Sequence, residues 1–334
     1  PRRPNELLYE YYMRVSPQAG SSLNRYMVEP FHFCAKSTGT TGVSKWVAYG
    51  ETFAENLTQG TMATLLTCCS DGWGGTKLKE GDTAMNFSAP VPYISGWGAN
   101  DFGKYFELVP PLKVTDNLQD MKRKFYLILK AIENGKQIHV AGGVGSMFYM
   151  IFKYIIEPEE FYEEYYKSMS LSLKKMLLLL KLLQCKLSGT QKRSITKYLP
   201  LKGVIIGGMD AQLYIDFFKK EFNLEPLNGF GSTEAGSLMK GDPDRKRDLV
   251  PNLVSSYFEF QTEDGDLKDI DQLKKGEVYS LVVTPFSSIL YRYDIEDTFR
   301  VIDFRSDSMP IFAFEGRKKS IIDVYGYYRV TPYI

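Results

Sequence analysis

The sequence predicts an α/β fold, mixed sheets flanked by helices, followed by a smaller β-rich subdomain. Two patterns carry this reading. First, Val204-Ile-Ile between Gly203 and Gly208, a helical stretch from Ala211 to Phe222 and a strand region from Leu224 to Gly229 make a β-α-β unit. Such a crossover joins parallel strands. Second, beyond residue 250 the chain turns to short alternating strands at Val254–Phe260, Glu277–Thr284, Phe299–Asp303 and Ile311–Phe314, which predict a small barrel or an extra sheet.

The elements before that unit follow in order. Phe31 to Lys36 and Trp46 to Tyr49 are short apolar runs on either side of a Gly/Thr/Ser loop, so they read as strand, loop, strand. Residues 52–69 carry Phe53, Leu57, Leu65 and Leu66 with few breakers and predict a helix. Residues 83–110, rich in proline, glycine and aromatics, predict irregular structure of the kind that lines pockets. A helix is expected over 117–133, a buried strand over Gln137–Ala141, and a helix from Phe148 to Ile156 that ends near Pro158. Glu159 to Lys197 reads as two helices rich in Leu and Lys, a surface hairpin, with a membrane-surface face over 171–187 as the lesser reading.

Composition narrows the function classes. The 334 residues are 44% hydrophobic and 24% charged, ordinary globular usage, enough for a real core. A formal net charge of +1 offers no broad basic surface for nucleic acid. Cys34, Cys68, Cys69 and Cys185 include no C-x-x-C pair, which argues against zinc or a disulfide scaffold and for a reducing, cytoplasmic compartment. No apolar run reaches the ~18 residues of a membrane span, and Pro1-Arg-Arg-Pro-Asn-Glu leads into no signal-peptide core. The chain begins without Met and is expected to be a piece of something longer.

The loop Ser37-Thr38-Gly39-Thr40-Thr41-Gly42-Val43-Ser44-Lys45 carries the first chemistry. Its glycines let backbone N–H groups approach an anion, its hydroxyls add donors, and Lys45 adds a point charge. The spacing is not G-x-x-x-x-G-K-[ST], so the strand-to-helix P-loop is excluded. What stays open is a flexible phosphate lid between strands or an ordinary exposed hairpin loop. Gly142-Gly143-Val144-Gly145-Ser146 lacks G-x-G-x-x-G order and reads as pocket wall. No G-x-S-x-G elbow occurs, and His32 and His139 both sit in apolar stretches as core residues, so a Ser-His-Asp hydrolase is not supported.

The loop resembles the signature phosphate loop of the adenylate-forming superfamily. Further segments resemble that superfamily in its order: Gly207-Gly208-Met209, then Gly229-Phe230-Gly231-Ser232-Thr233-Glu234, then Tyr291-Arg292-Tyr293 with Asp297, then Gly316-Arg317 with Gly326. Tyr257-Phe258-Glu259-Phe260 after Pro251, and Tyr291-Arg-Tyr before Asp297 and Pro310, are similar to the auxin- and jasmonate-conjugating acyl-acid amido synthetases, with the phenylacetate-CoA ligase branch next. The resemblance implies the large N-terminal core of an adenylate-forming enzyme over 1–315, α/β to about 249 and β-rich over 250–315. Residues 316–334 would be a hinge and the start of a C-terminal domain outside this chain.

It also implies roles. Ser37, Thr38, Gly39, Thr40, Thr41, Gly42, Ser44 and Lys45 would hold the β- and γ-phosphates of ATP. Gly207, Gly208 and Met209 would form the adenine-side turn, and Phe230, beside Gly231 and Ser232, would lie against the ring. Thr233 would contact the α-phosphate and Glu234 would help hold Mg²⁺, a hard cation suited to carboxylate and phosphate oxygens. Asp297 would accept from the ribose hydroxyls, with Arg317 nearby. Lys45, Thr233 and Glu234 would then be the catalytic set. The implied activity is ATP-dependent conversion of a small carboxylic acid to an acyl-adenylate with release of pyrophosphate, then transfer to an amino acid or to coenzyme A. The alternative is a non-catalytic nucleotide or acyl-ligand binding module built on the same fold. Aromatic content adds Tyr93, Trp97, Phe102, Phe148 and Tyr149 as candidates for the acid's pocket.

Overall fold

The computed structural model describes residues 8–19, 22–37, 44–72, 74–115, 121–156, 199–208, 214–286, 288–318, 322–324 and 328–330, with residues 3, 6 and 163. The helical pair expected over Glu159–Lys197, apart from Glu163, and Cys185, Met209 and Gly326 lie outside the described residues.

Helix α1 (Leu8–Ala19) precedes an antiparallel pair, β1 (Phe31–Lys36) and β2 (Trp46–Gly50), which frames the phosphate loop where the apolar runs predicted strands. Helix α2 (Glu51–Cys68) follows β2 directly. A small ribbon, β3 (Ser70–Gly72) with β4 (Gly75–Thr76), leads to β5 (Thr83–Met85). Next come α3 (Ile94–Phe102), β6 (Glu107–Val109), α4 (Leu112–Thr115), α5 (Met121–Glu133), β7 (Val140–Val144) and α6 (Gly145–Ile156). Residues 83–110 are therefore not irregular throughout. Their prolines sit in the linker between β5 and α3 and just after β6, and the regular elements fit between them.

The expected β-α-β unit is β8 (Gly203–Gly207), α7 (Ile215–Phe222) and β9 (Leu227–Ser232), and β8 pairs β9 in parallel. The β-branched Val204, Ile205 and Ile206 suit a central strand. The rest is β10 (Gly236–Gly241), β11 (Leu249–Pro251), β12 (Ser256–Gln261), β13 (Leu267–Lys268), β14 (Val278–Pro285), β15 (Tyr293–Phe304) and β16 (Pro310–Arg317). A last pair, β17 (Ile322–Val324) and β18 (Tyr328–Val330), stands apart.

One twelve-stranded sheet runs in the order β13-β12-β14-β15-β16-β11-β10-β9-β8-β7-β5-β6. The β6-β5-β7-β8-β9 half is parallel, and every pairing from β9 to β10 onward is antiparallel. The β-rich section is thus not a separate barrel or extra sheet: β11, hydrogen-bonded to both β10 and β16, continues the main sheet into it. That half curls strongly. β9 and β15 are four strand steps apart in the sheet, which in a flat sheet would part them by about 19 Å. Yet Phe230 of β9 and Phe299 of β15 meet edge to face with ring centroids 4.9 Å apart.

Burial follows the two halves. Ile128, Phe148, Phe152, Ile206 and Phe218 form the core between the parallel half and its helices. Leu238, Phe258, Phe260, Phe299 and Phe312 fill the inside of the curl. Phe33, Tyr49, Phe53 and Trp97 pack the β1–β2 pair onto α2 and α3, with Phe33 stacked between Trp97 at 3.9 Å and Tyr49 at 4.8 Å. Among the described residues, no helix is long and apolar enough to cross a membrane.

Candidate active site

A cleft of about 930 Å³ opens at the carboxyl ends of β7, β8 and β9, where ligands bind in parallel sheets. Gly143, Val144, Gly207 and Gly208 line its floor, α2 and the start of α3 one side, and Tyr293, Ile295, Asp297 and Arg317 the other. The expectation of a pocket wall at Gly142–Ser146 fits Gly143 and Val144. Gly208 has φ +98°, a conformation that glycine adopts without steric cost, and it ends β8 at the cleft.

The loop joining β1 to β2 starts from a closed base. The Ser37 N–H donates to Lys45 O at 2.9 Å, and the Lys45 N–H donates to Ser37 Oγ at 2.8 Å. From there the Lys45 side chain crosses to β15. Its Nζ donates to the Tyr293 hydroxyl at 2.9 Å and lies 4.0 Å from Glu234 Oε1. Tyr293 in turn donates to Glu234 Oε1 at 3.3 Å. The hydrogen bond to Tyr293 holds the Lys45 ammonium above its ordinary pKa, with the Glu234 charge adding to it.

Glu234 and Thr233 belong to the turn from β9 to β10. Gly231 is required there: a Cβ would come within 2.5 Å of Gly236 O across the pair. Ser232 Oγ accepts from the Ala235 N–H at 3.1 Å and closes the turn. The buried Tyr49 hydroxyl donates to Thr233 O and fixes the turn to β2, and burial pushes its phenol well up. The strand that starts the phosphate loop's return thus also holds the turn facing it. Phe230 rests edge-on against Phe299 and stacks on Phe314 at 6.0 Å, with its remaining surface on the cleft.

Asp297 and Arg317 are direct cross-strand partners on β15 and β16. Asp297 is 9% exposed, and its Oδ1 has no hydrogen-bond partner among the described residues. Burial pushes its carboxyl up to about 6; Arg317 opposes this and the carboxylates of Glu234 and Glu296 add to it. A buried acceptor left open toward a cleft is what a ligand hydroxyl would satisfy. The Arg317 guanidinium lies 3.5 Å from Glu296 Oε2 and 3.5 Å from Ile295 O.

Among the described residues, no group of three or more His, Cys, Asp or Glu forms an all-protein metal cage. Mg²⁺ does not need one, since it is held by one or two carboxylates together with phosphate oxygens and water. Glu234 fits that role: Oε1 accepts from Tyr293, and the carboxylate stands on the cleft wall beside Lys45.

Of the residues that the sequence put forward, the fold brings Ser37, Lys45, Gly207, Gly208 and Phe230 to this cleft, together with Gly231, Ser232, Thr233, Glu234, Asp297, Arg317 and Tyr93. Ser44 sits at the loop base beside Lys45, outside the lining. Thr38, Gly39, Thr40, Thr41 and Gly42, with Met209, lie outside the described residues. Four aromatic candidates for the acid's pocket are placed elsewhere. Trp97 is 3% exposed under Phe33, and Phe148 is fully buried between α6 and the sheet. Phe102 stacks on Phe106, and Tyr149 packs on Tyr214 and Phe217. The wall is instead formed by Leu57, Thr61 and Thr64, at positions i, i+4 and i+7 of one α2 face, with Ile94, Ile205 and Met239. Tyr293, Tyr49 and Lys36 are further site residues that the sequence reading left unassigned. Tyr293 lies inside a motif already noted, and its neighbour Arg292 pairs with Glu259.

The fold is similar to the core of adenylate-forming enzymes. Residues 249–317 match the GH3 family central domain. A probable indole-3-acetic acid-amido synthetase GH3.1 from Oryza sativa subsp. japonica is 34% identical over 86 residues, covering 23% of this chain and 13% of that protein. The solved structure of AtGH3.15 acyl acid amido synthetase in complex with 2,4-DB superposes with a TM-score of 0.64 at 20% identity, over 93% of this chain and 62% of that one. 2-Hydroxyisobutyryl-CoA ligase in complex with 2-HIB-AMP and CoA gives 0.59 at 12% identity, over 96% and 65%. ATP-bound MatB from Rhodopseudomonas palustris gives 0.52 at 14%, over 91% and 51%. The chain therefore resembles the adenylate-forming superfamily and, within it, the GH3 acyl-acid amido synthetases, as its motifs imply. It covers less than two thirds of the length of each of these relatives.

Proposed function

We propose that this chain is the acid-activating core of an ATP-dependent ligase. The observation that carries the proposal is the convergence on one cleft of the phosphate-loop base, the Thr233–Glu234 turn and the Asp297–Arg317 pair. In the proposed reaction a carboxylate oxygen attacks the α-phosphorus of ATP. The bond from that phosphorus to the bridging oxygen breaks, pyrophosphate leaves with the electron pair, and an acyl-adenylate remains. Such catalysis is positioning and charge neutralisation, so no nucleophilic side chain is required. In this reading Lys45 neutralises the leaving pyrophosphate. In the same reading Thr233 contacts the α-phosphate, Phe230 lies against the adenine face and Asp297 accepts from the ribose hydroxyls. Mg²⁺, when held by Glu234 and the phosphates, would supply further neutralisation of the phosphate charge.

The acid is read as a small monocarboxylate with an apolar tail. Leu57, Ile94, Val144, Ile205 and Met239 offer hydrocarbon. The hydroxyls of Thr61 and Thr64 donate back to Leu57 O and Gly60 O within α2, each at 2.8 Å, so this face presents little hydrogen bonding to a ligand. Amide formation with an amino acid is the preferred second step, because the rice relative and the AtGH3.15 structure are amido synthetases; coenzyme A is the other acceptor. The free thiols of Cys34, Cys68 and Cys69 suit a cytoplasmic setting. The test is exchange of labelled pyrophosphate into ATP, run with a panel of carboxylic acids and Mg²⁺. Acid-dependent exchange is expected; no exchange with any acid, together with no ATP binding by calorimetry, rejects the proposal.

A further inference from the structure

Two lysines of the β1–β2 pair reach the cleft, and they take opposite walls. Lys45 points to β15 and the β9–β10 turn, where Tyr293 and Glu234 engage it. Lys36 ends β1 on the other side. Its backbone N–H donates to Pro92 O at 2.8 Å, and it bridges to Tyr93, so its Cα is fixed against the segment that enters α3. The Lys36 side chain is half-buried and lines the cleft, with Nζ 5.9 Å from the centroid of the Tyr93 ring. An aromatic face holds an ammonium in place without neutralising it. Among the described residues no carboxylate pairs with Lys36.

The surroundings say which anion this ammonium suits. The wall with Lys45, Thr233 and Glu234 is the one read above as the phosphate side. The lining on the Lys36 side, from α2 and the start of α3, is mostly apolar toward a ligand: Leu57 and Ile94 offer hydrocarbon, and the Thr61 and Thr64 hydroxyls donate within α2, with Ser95 as a further polar group. A single cation above a hydrocarbon surface matches a molecule with one anionic end and an apolar body. We propose that Lys36 binds the carboxylate of the acid to be activated and holds it in the cleft opposite the phosphates. A fixed ammonium there also offsets the repulsion between a carboxylate and the triphosphate, two anions that must approach for the reaction. The proposal rests on the acid-activating reading of the cleft, but its test needs binding alone.

The experiment compares carboxylates with their neutral primary amides. Indole-3-acetate, phenylacetate and octanoate, and the matching amides, are titrated by calorimetry into the wild-type chain and into Lys36→Met, Lys36→Gln and Lys36→Arg, with ATP titrated separately. The wild type is expected to bind at least one carboxylate about tenfold or more tightly than its amide, since a charge-assisted contact is lost with the amide. Lys36→Met and Lys36→Gln are expected to abolish that preference while leaving amide and ATP affinity in place, which also serves as the control for folding. Lys36→Arg is expected to restore most of the preference. The proposal is overturned if the wild type shows no preference for any carboxylate, if the preference survives in Lys36→Met and Lys36→Gln, or if those variants lose ATP affinity instead. Carboxylate preference with neither pyrophosphate exchange nor ATP binding would leave Lys36 as assigned and reject adenylation.

Discussion

The ammonium of Lys45 donates to the phenol of Tyr293 at 2.9 Å across a sequence separation of 248 residues. One contact thereby ties the end of the phosphate loop to the strand that carries Asp297. The same phenol donates onward to Glu234, so the cation, the phenol and the carboxylate form a short relay on one wall of the cleft.

Tyr293→Phe removes the relay's middle member and keeps its ring. A hydrogen bond to a charged group contributes about 1.5–3 kcal/mol. ATP affinity, read by calorimetry, is expected to fall by roughly tenfold or more. Thermal unfolding should change little, because the Lys45 side chain is on the open cleft. Unchanged affinity would mean that Lys45 reaches its ligand position without help from Tyr293.

Asp297 links function to stability. Burial lifts its carboxyl to about 6 in the folded chain, above the ordinary carboxylate value. The folded state therefore holds this proton more tightly than the unfolded one, so this residue's contribution to stability falls as pH rises from about 4 to about 6 and stays lost above that. Asp297→Asn is expected to stabilise the ligand-free chain at pH 7 by on the order of 1–3 kcal/mol in urea unfolding. The same substitution should weaken nucleotide binding at pH 7 and remove its decline below about pH 6. A variant that is less stable at pH 7 would contradict the assignment.

His139 gives the opposite pH response at the far ends of the strands. Its Nδ1 accepts from the Thr83 N–H at 3.1 Å, which requires the neutral ring, and burial lowers its pKa despite the nearby Asp82. Its contribution to stability is present above the unfolded value of about 6.5 and is lost as pH falls through the lowered folded value. His139→Gln keeps an acceptor but cannot titrate. Its urea midpoint is expected to change less than the wild type's between pH 7 and pH 5.

Gly231→Ala places a methyl within 2.5 Å of Gly236 O, where only backbone could yield. A loss of about 1–3 kcal/mol in unfolding free energy is expected. Nucleotide affinity should drop as well, because Phe230, Thr233 and Glu234 lie on the turn that must open. A variant with wild-type stability and affinity would mean that the turn tolerates the shift.

Much of the site was legible because chemistry and backbone need agree there. The glycines and hydroxyls of the loop fall between two apolar runs that do form β1 and β2, and Gly231 marks a tight pair of strands. Trp97, Phe102, Phe148 and Tyr149 do not line the cleft, because aromatic content does not reveal direction. Phe148, Ile151 and Phe152 recur at helical spacing and fill the core together, a stripe that places Phe148 inside from sequence alone. Trp97 had no such marker; it is buried by Phe33, which sits 64 positions earlier in the chain. Strand β10 escaped notice because Gly236 and Gly241 bracket it like loop residues. The continuation of the sheet through β11 rests on three residues, Leu249–Pro251, too few to carry a pattern.

The curl that brings Phe230 against Phe299 would give a nucleotide bound as proposed a mechanical part to play. Adenine at Phe230 and ribose at Asp297 would touch two places far apart along one ribbon of hydrogen-bonded strands but adjacent in space. The ligand would then act as a clasp across the mouth of a coil. It would lock the coil's diameter, and β11, which contributes no residue to the cleft lining, would be held without being touched.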